Sequence, residues 1–272
     1  MVIGRPVEHS LSPVIHNAAF EALGLDWGFF ALSVPPGGVA DAVAAMRNLA
    51  LAGMSVTMPH KDAVVDLVDA RSPAVALLGA ANCLWWRGAE LVADNTDGIG
   101  FVDALHHDAG FEPRGRRAVV FGAGGAARAV IAALASAGAA EIVVVNRTRA
   151  RAEVAASLAG PSGRIGTAED VVDADMVVNA SPVGMGDEAL PFDPSLLGRG
   201  HLVIDLIYEP MATPLVLAAR ERGAVAINGL GMLIHQAAHA FRHWTGEDPP
   251  IEVMSASATA ELARRRIVSP QP

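Results

Sequence analysis

The chain has 272 residues, 52% of them hydrophobic and 18% charged, with a net charge of −9 and a single cysteine, Cys83. That length suits two domains or one large α/β domain, and so apolar a composition excludes a disordered chain. The acidic balance argues against a nucleic-acid or anionic-membrane partner, and one cysteine excludes an intramolecular disulfide framework and a cysteine metal cluster.

The opening Met1-Val2-Ile3-Gly4-Arg5-Pro6 lacks a basic segment followed by an apolar core, so no secretory leader is expected. Ser12-Pro13 reads as a capped helix start and Gly24 as its stop. Residues 29–32 read as a strand, 39–49 as a helix, and 53–57 as a strand halted at Pro59. Residues 83–86 and 90–93 flank Arg87-Gly88 as a hairpin, within which Trp85 and Trp86 read as packing residues. Asp97 starts a helix to about Ala109 that links two halves. The longest apolar stretch, 118–137, holds three glycines and Arg128 and suits a strand, turn and helix better than a membrane span. From Arg117 strands near 117–121, 141–145, 176–178, 201–206 and 224–227 alternate with helices near 126–137, 150–159, 168–174 and 213–222. This alternation predicts a parallel sheet with right-handed crossovers. Helices near 231–244 and 254–266 follow, and at least one is expected to return to the first domain. The expected organisation is a two-domain α/β chain. An N-terminal α/β substrate domain, 1–100, is joined by C-terminal helices within 229–272, and a Rossmann-like domain spans 101–228. A cleft between domains is the expected site.

The turn Gly122-Ala123-Gly124-Gly125-Ala126-Ala127 fits G-x-G-x-x-[GA]. Its small residues serve a tight turn, close approach of a pyrophosphate, and helix–sheet packing. The next strand ends in Asn146-Arg147-Thr148-Arg149-Ala150-Arg151. A chain that reads NAD places an acid there for the ribose 2′-hydroxyl; the neutral Asn146 with Arg147 and Arg151 suits a 2′-phosphate instead, so the cofactor expected is NADP.

Four further polar clusters sit at predicted strand ends or helix starts: Ser10-Leu11-Ser12-Pro13, Ser55 to Lys61, Ala81-Asn82-Cys83, and Asp94 to Gly98. Singly, each has an ordinary role: Ser12 and Asp97 as helix caps, Lys61 as a solvated lysine, Asn82 as a turn residue, Cys83 as a small buried hydrophobe. Together with a nicotinamide cofactor they suit a polyol site, in which hydroxyls and an amide bind the substrate while a lysine and an aspartate move a proton.

The ordered set S-L-S-P, V-T-x-P-x-K, A-N, D-N-T-D-G, G-A-G-G-A, N-R-T-x-x-R and N-G-L-G-M-L-x-x-Q-A-A, running from Gly4 to Ala240, resembles the shikimate dehydrogenase family. The resemblance implies NADP-dependent, reversible reduction of 3-dehydroshikimate to shikimate, a step toward aromatic amino acids. It implies that Ser10 and Ser12 bind the substrate carboxylate. Thr57, Asn82 and Gln236 would bind ring hydroxyls, Lys61 and Asp97 would form the catalytic pair, and Tyr208 would lie near the substrate. Backbone at Leu206, Gly229 and Met232 would line the nicotinamide end, with Ser181 beside the cofactor. The family usually has N-V-T where this chain has Ser55-Val56-Thr57, and His60 stands where an aromatic ring is common. His235, His239 and His243 recur every fourth residue, but the spacing is read as packing, and no metal is expected. A quinate or aminoshikimate dehydrogenase of the same family, and a non-catalytic NADPH sensor, are the alternatives; Lys61 and Asp97 weigh against the sensor. The expected protein is cytoplasmic, with a small-molecule substrate, and both monomer and homodimer stay open.

Overall fold

The computed structural model describes residues 1–268. The chain forms two compact units, Met1–Thr96 with Ile234 onward, and Asp97–Leu233. Residues 269–272, the end of the expected first domain, lie outside the described residues.

The first unit holds β1 (Val2–Gly4), α1 (Ser12–Ala22), β2 (Ala31–Ser33), α2 (Val39–Asn48), β3 (Gly53–Val56), β4 (Ala70–Arg71), α3 (Pro73–Leu78), β5 (Cys83–Arg87) and β6 (Glu90–Asp94). Its six strands run in the order β2-β1-β3-β5-β6-β4. Strand β5 is antiparallel to both of its neighbours, β3 and β6, and the other pairs are parallel. Ile3, Met54, Leu84 and Leu91 are wholly buried in one core with Val43 and Met46 of α2. Such side chains contribute about 1.5–3 kcal/mol each by leaving water.

The second unit holds α4 (Asp97–Ala109), β7 (Arg117–Phe121), α5 (Gly125–Ser136), β8 (Glu141–Val145), α6 (Arg149–Ser157), β9 (Gly163–Ile165), β10 (Met176–Asn179), β11 (Leu202–Asp205), α7 (Pro214–Glu221) and β12 (Val225–Asn228). All its strands are parallel, in the order β12-β11-β10-β7-β8-β9. This is the doubly wound dinucleotide-binding order, with its switch point between β7 and β10. β-branched runs such as Ile142-Val143-Val144 are buried on both faces, as a parallel sheet between helices requires. α8 (Leu230–Thr245) continues into the first unit, where α9 (Ile251–Val268) packs on α1.

Several sequence expectations need correction. Ser12 does not cap α1: Leu11 precedes the helix and no side chain caps it, while the Ser10 hydroxyl accepts from the Ser12 N–H at 3.2 Å. Gly24 does end the helix, at φ +66° with its N–H on Glu21. The expected helix at 168–174 is a 3-10 turn, Ala168–Asp173, opened by a Thr167/Asp170 capping box. No described helix is long and apolar enough to cross a membrane.

His16 of α1 gives no signal in the sequence. It is 1% exposed, its ring lies 4.4 Å from Phe29 and 4.9 Å from Trp244, and neither nitrogen has a hydrogen-bond partner among the described residues. Burial in this aromatic nest lowers its pKa to about 3, so the folded protein holds it neutral. The unfolded chain takes up a proton below roughly pH 6.5, so this group costs stability increasingly as pH falls from there toward 3. His16→Phe is therefore expected to gain on the order of 2 kcal/mol at pH 5 relative to its effect at pH 8, measured by urea denaturation at the two pH values. An equal effect at both would show that His16 does not titrate on unfolding.

Candidate active site

In the first unit one end of the sheet gathers the polar clusters. β1, β3 and β6 all finish there and β5 begins there, because β5 is antiparallel to its neighbours. Gly4 ends β1 with the Thr57 methyl so close that a Cβ would collide with it. The loop after β3 is tied to β1 by Thr57 N–H to Ile3 (2.9 Å) and Arg5 N–H to Met58 (2.8 Å). His60 is more than a tolerated replacement: it is 2% exposed, and its Nε2 lies 2.8 Å from the Val34 carbonyl, joining this loop to the end of β2. Lys61 follows directly, its carbonyl accepting from the Ala81 N–H at 2.8 Å. Ser55 shares a strand face with Thr57, two residues on, and its neighbours in register are Val2 and Cys83.

Asn82 is the junction of this end. Its carbonyl accepts from Val56 (2.8 Å) and its N–H donates to Asp94 (3.1 Å). Its side-chain oxygen accepts from the Thr96 N–H (2.8 Å), and its amide donates to the Thr96 hydroxyl (3.0 Å) and to Gln236 Oε1 of α8 (3.2 Å). The structure thus brings Asn82, Thr96 and Gln236 together; Thr96 belongs to the Asp94 to Gly98 cluster, in which the sequence gives it no role of its own. Beside them His243 Nε2 lies 2.9 Å from the Asp94 carboxylate, and its ring stacks on Trp85 at 4.8 Å. Burial pushes Asp94 up, but hydrogen bonds from His243, Ser72 and the Asn95 N–H hold its carboxyl below the usual range. Among the described residues no three His, Cys, Asp or Glu side chains form a metal-holding group. Cys83 is fully buried and burial pushes its thiol up, which makes it inert. Trp86 donates to the Leu51 carbonyl at 2.8 Å, a packing role.

In the second unit the polar residues lie at the C-terminal strand ends. Gly122 has φ +116°, and a Cβ there would press on the Ala180 carbonyl, so glycine is required at the switch point. Gly124 differs. Its φ of −82° suits any residue, and no described heavy atom lies within 4 Å of a Cβ built on it. The N-terminus of α5 that follows carries no side-chain cap, leaving its N–H groups for an anion. At the tip of β8 Asn146 donates to Thr148 O at 2.9 Å and Arg149 pairs with Glu153 at 2.9 Å. Arg147 and Arg151 are exposed, and neither forms an ion pair among the described residues. These features fit a dinucleotide pyrophosphate and a 2′-phosphate. Gly229 lies against the Leu206 backbone too closely for any side chain, and its N–H donates to Ile207 at 3.2 Å. Met232 and Leu206 both pack on the same core, and Tyr208 is half-buried in the loop after β11. Asp97, 5% exposed, begins α4, and the adjacent Gly98 packs on the Ala129 carbonyl of α5.

Family models match along the chain: the shikimate dehydrogenase substrate binding domain over residues 2–84, the shikimate 5′-dehydrogenase C-terminal domain over 229–258, and the F420-dependent NADP oxidoreductase domain over 117–208. The shikimate dehydrogenase (NADP(+)) of Geobacter metallireducens is 42% identical over 97% of this chain and 96% of its own length. A solved shikimate dehydrogenase in complex with NADP+ superposes with a TM-score of 0.91 at 36% identity, covering 96% of this chain and 94% of that one. The Thermus thermophilus enzyme in complex with NADP(H) and shikimate gives 0.89 at 37% identity, covering 95% and 97%. With its sheet order, its glycine turn and near full-length identity of this level, the chain belongs to the shikimate dehydrogenase family.

Proposed function

We propose that this protein is an NADP-dependent shikimate dehydrogenase that reversibly reduces 3-dehydroshikimate to shikimate, with the first unit binding substrate and the second binding NADP. The observation that carries the reading is the meeting of Asn82, Thr96 and Gln236 at the same sheet end as Thr57 and the Lys61 loop. Their hydroxyl and amide groups suit a polyol ring, and Ser10 and Ser12 would take its carboxylate. On this reading the enzyme serves aromatic amino acid biosynthesis in the cytoplasm.

Bound NADPH would supply a hydride to the ketone carbon. Oxygen then gathers negative charge, and the Lys61 ammonium would deliver the proton, while the Asp97 carboxylate would accept a substrate hydroxyl. Gly122 to Ala126 would hold the pyrophosphate, with Asn146, Arg147, Thr148 and Arg151 on the adenosine phosphate. Ser181, Leu206, Gly229 and Met232 would flank the nicotinamide, and Tyr208 the substrate.

The deciding experiment is a spectrophotometric screen of shikimate, quinate and aminoshikimate with NADP and NAD. Shikimate with NADP is expected to give the highest kcat/KM; preference for quinate or aminoshikimate would reassign the substrate, and no turnover with any would favour a sensor. Lys61→Ala should lower kcat by about 10²–10⁴-fold with a smaller change in shikimate affinity, because its interaction strengthens as charge develops. Near-normal turnover in the folded variant would remove Lys61 from the mechanism. Arg147→Ala with Arg151→Ala should weaken NADP far more than NAD, by about 1.5–3 kcal/mol for each charge-assisted hydrogen bond to the 2′-phosphate that is removed. Gly124→Val should bind NADP poorly in a fluorescence titration while costing no more than the roughly 1 kcal/mol of a weakened α5 N-cap, since beyond its chain neighbours only a ligand would meet its side chain.

A further inference from the structure

The loops that follow β10 and β11 are fastened to one buried carboxylate. Asp205 closes β11, is 0% exposed, and stands opposite Asn179 in register. Its Oδ1 accepts from the Asn179 amide at 3.0 Å and from the Ile207 N–H at 3.2 Å, and its Oδ2 accepts from the Thr213 hydroxyl at 2.7 Å. Asn179 in turn accepts from the Ser181 hydroxyl (2.7 Å) and N–H (3.1 Å) and donates to the Val183 carbonyl at 3.1 Å. Thr213 accepts from the Val216 N–H at 3.2 Å and so begins α7. Through Thr213 and Asp205 the intervening segment becomes a loop closed at its base. Its far side is held by Gly229 N–H on Ile207 and by the Asn228 amide on Met211 at 2.8 Å.

Two side-chain donors and one backbone N–H all point at the Asp205 carboxylate, so the position calls for a group that only accepts. Burial outweighs the pull of the three donors and holds its carboxyl above the usual carboxylate range. A buried carboxylate whose only task was to end a strand would need none of these ties to the loops. Each segment fastened here instead carries a residue proposed to meet a ligand: Ser181, Leu206 and Tyr208.

We propose that Asp205 is a positioning residue for the dehydrogenase reaction, holding the 180–183 turn and the 206–213 loop in the one arrangement that presents Tyr208 and the Leu206 backbone to substrate and cofactor. It touches neither ligand. Its kinetic consequence rests on the shikimate dehydrogenase reading; its structural consequence does not.

The test uses the full chain. Tyr208 is its single tyrosine, so 3-fluorotyrosine labelling gives a ¹⁹F signal from that loop alone. Thr213→Val removes one donor from Asp205 and the side-chain cap of α7 together, and Thr213→Ser restores both. Valine is expected to broaden or split the ¹⁹F signal and to lower kcat/KM for shikimate about tenfold, as befits the removal of one buried hydrogen bond, while serine returns both toward the parent. In a cycle with Tyr208→Phe, the valine effect on kcat/KM should largely vanish once Tyr208 has lost its hydroxyl. Asp205→Asn, which keeps Oδ1 but turns a donor toward Thr213, should behave like valine. An unchanged ¹⁹F signal in the valine variant, or a kinetic loss fully additive with Tyr208→Phe, would overturn the proposal. A parent enzyme inactive on shikimate would sink the functional reading alone, because the ¹⁹F comparison still decides whether Asp205 holds the loop.

Discussion

A parallel strand ends with carbonyl and N–H groups that its neighbours no longer reach, and in the interior those groups cannot be left without partners. Here short polar side chains take them up. The Asn82 side chain does so for the Thr96 N–H just past β6, while Asn179 and Asp205 do so for the turns after β10 and β11. The rest of each site is built outward from these residues. Thr57 and the Lys61 loop follow a strand held by Asn82, and Tyr208 follows one that ends at Asp205.

What could be read from the sequence depended on range. The strands at 117–121 and 141–145 follow from their apolar runs, and the glycine turn between them from the intolerance of a switch point for side chains. The N-R-T-x-x-R segment already singles out Arg147 and Arg151, and in three dimensions Arg149 pairs instead with Glu153. The meeting of Asn82 with Gln236 spans 154 positions, and residue pattern alone does not predict it; the resemblance supplies both residues, and leaves Thr96 between them as one member of a polar cluster. The Asp205 network has the same character. Thr213 was legible as a helix start and Asn179 as a strand end, but not their joint dependence on one carboxylate.

Other omissions were local. β1 is three residues long and β4 two, too short for a period to register. α3 did carry a signal, with the Ser72 side chain accepting from Val75, Pro73 in the first turn and Gly79 in the left-handed region. Ser12 misled because Ser-Pro is the usual opening of a helix, while here the turn that precedes it engages the Ser10 hydroxyl. His16 sits within a helix as an ordinary polar residue would, and only the rings of Phe29 and Trp244 reveal its burial.

Gly98, the last residue of the D-N-T-D-G segment, is determined by packing: a Cβ there would lie 2.9 Å from the Ala129 carbonyl and 3.0 Å from the Ala133 methyl. The start of α4 is therefore seated on α5, the helix that opens from the glycine turn. Asp97 and that turn then form a single mechanical piece. The carboxylate proposed to steer the proton and the backbone proposed to hold the hydride donor thus belong to one packed helix pair, so a bulkier residue at position 98 would disturb both at once.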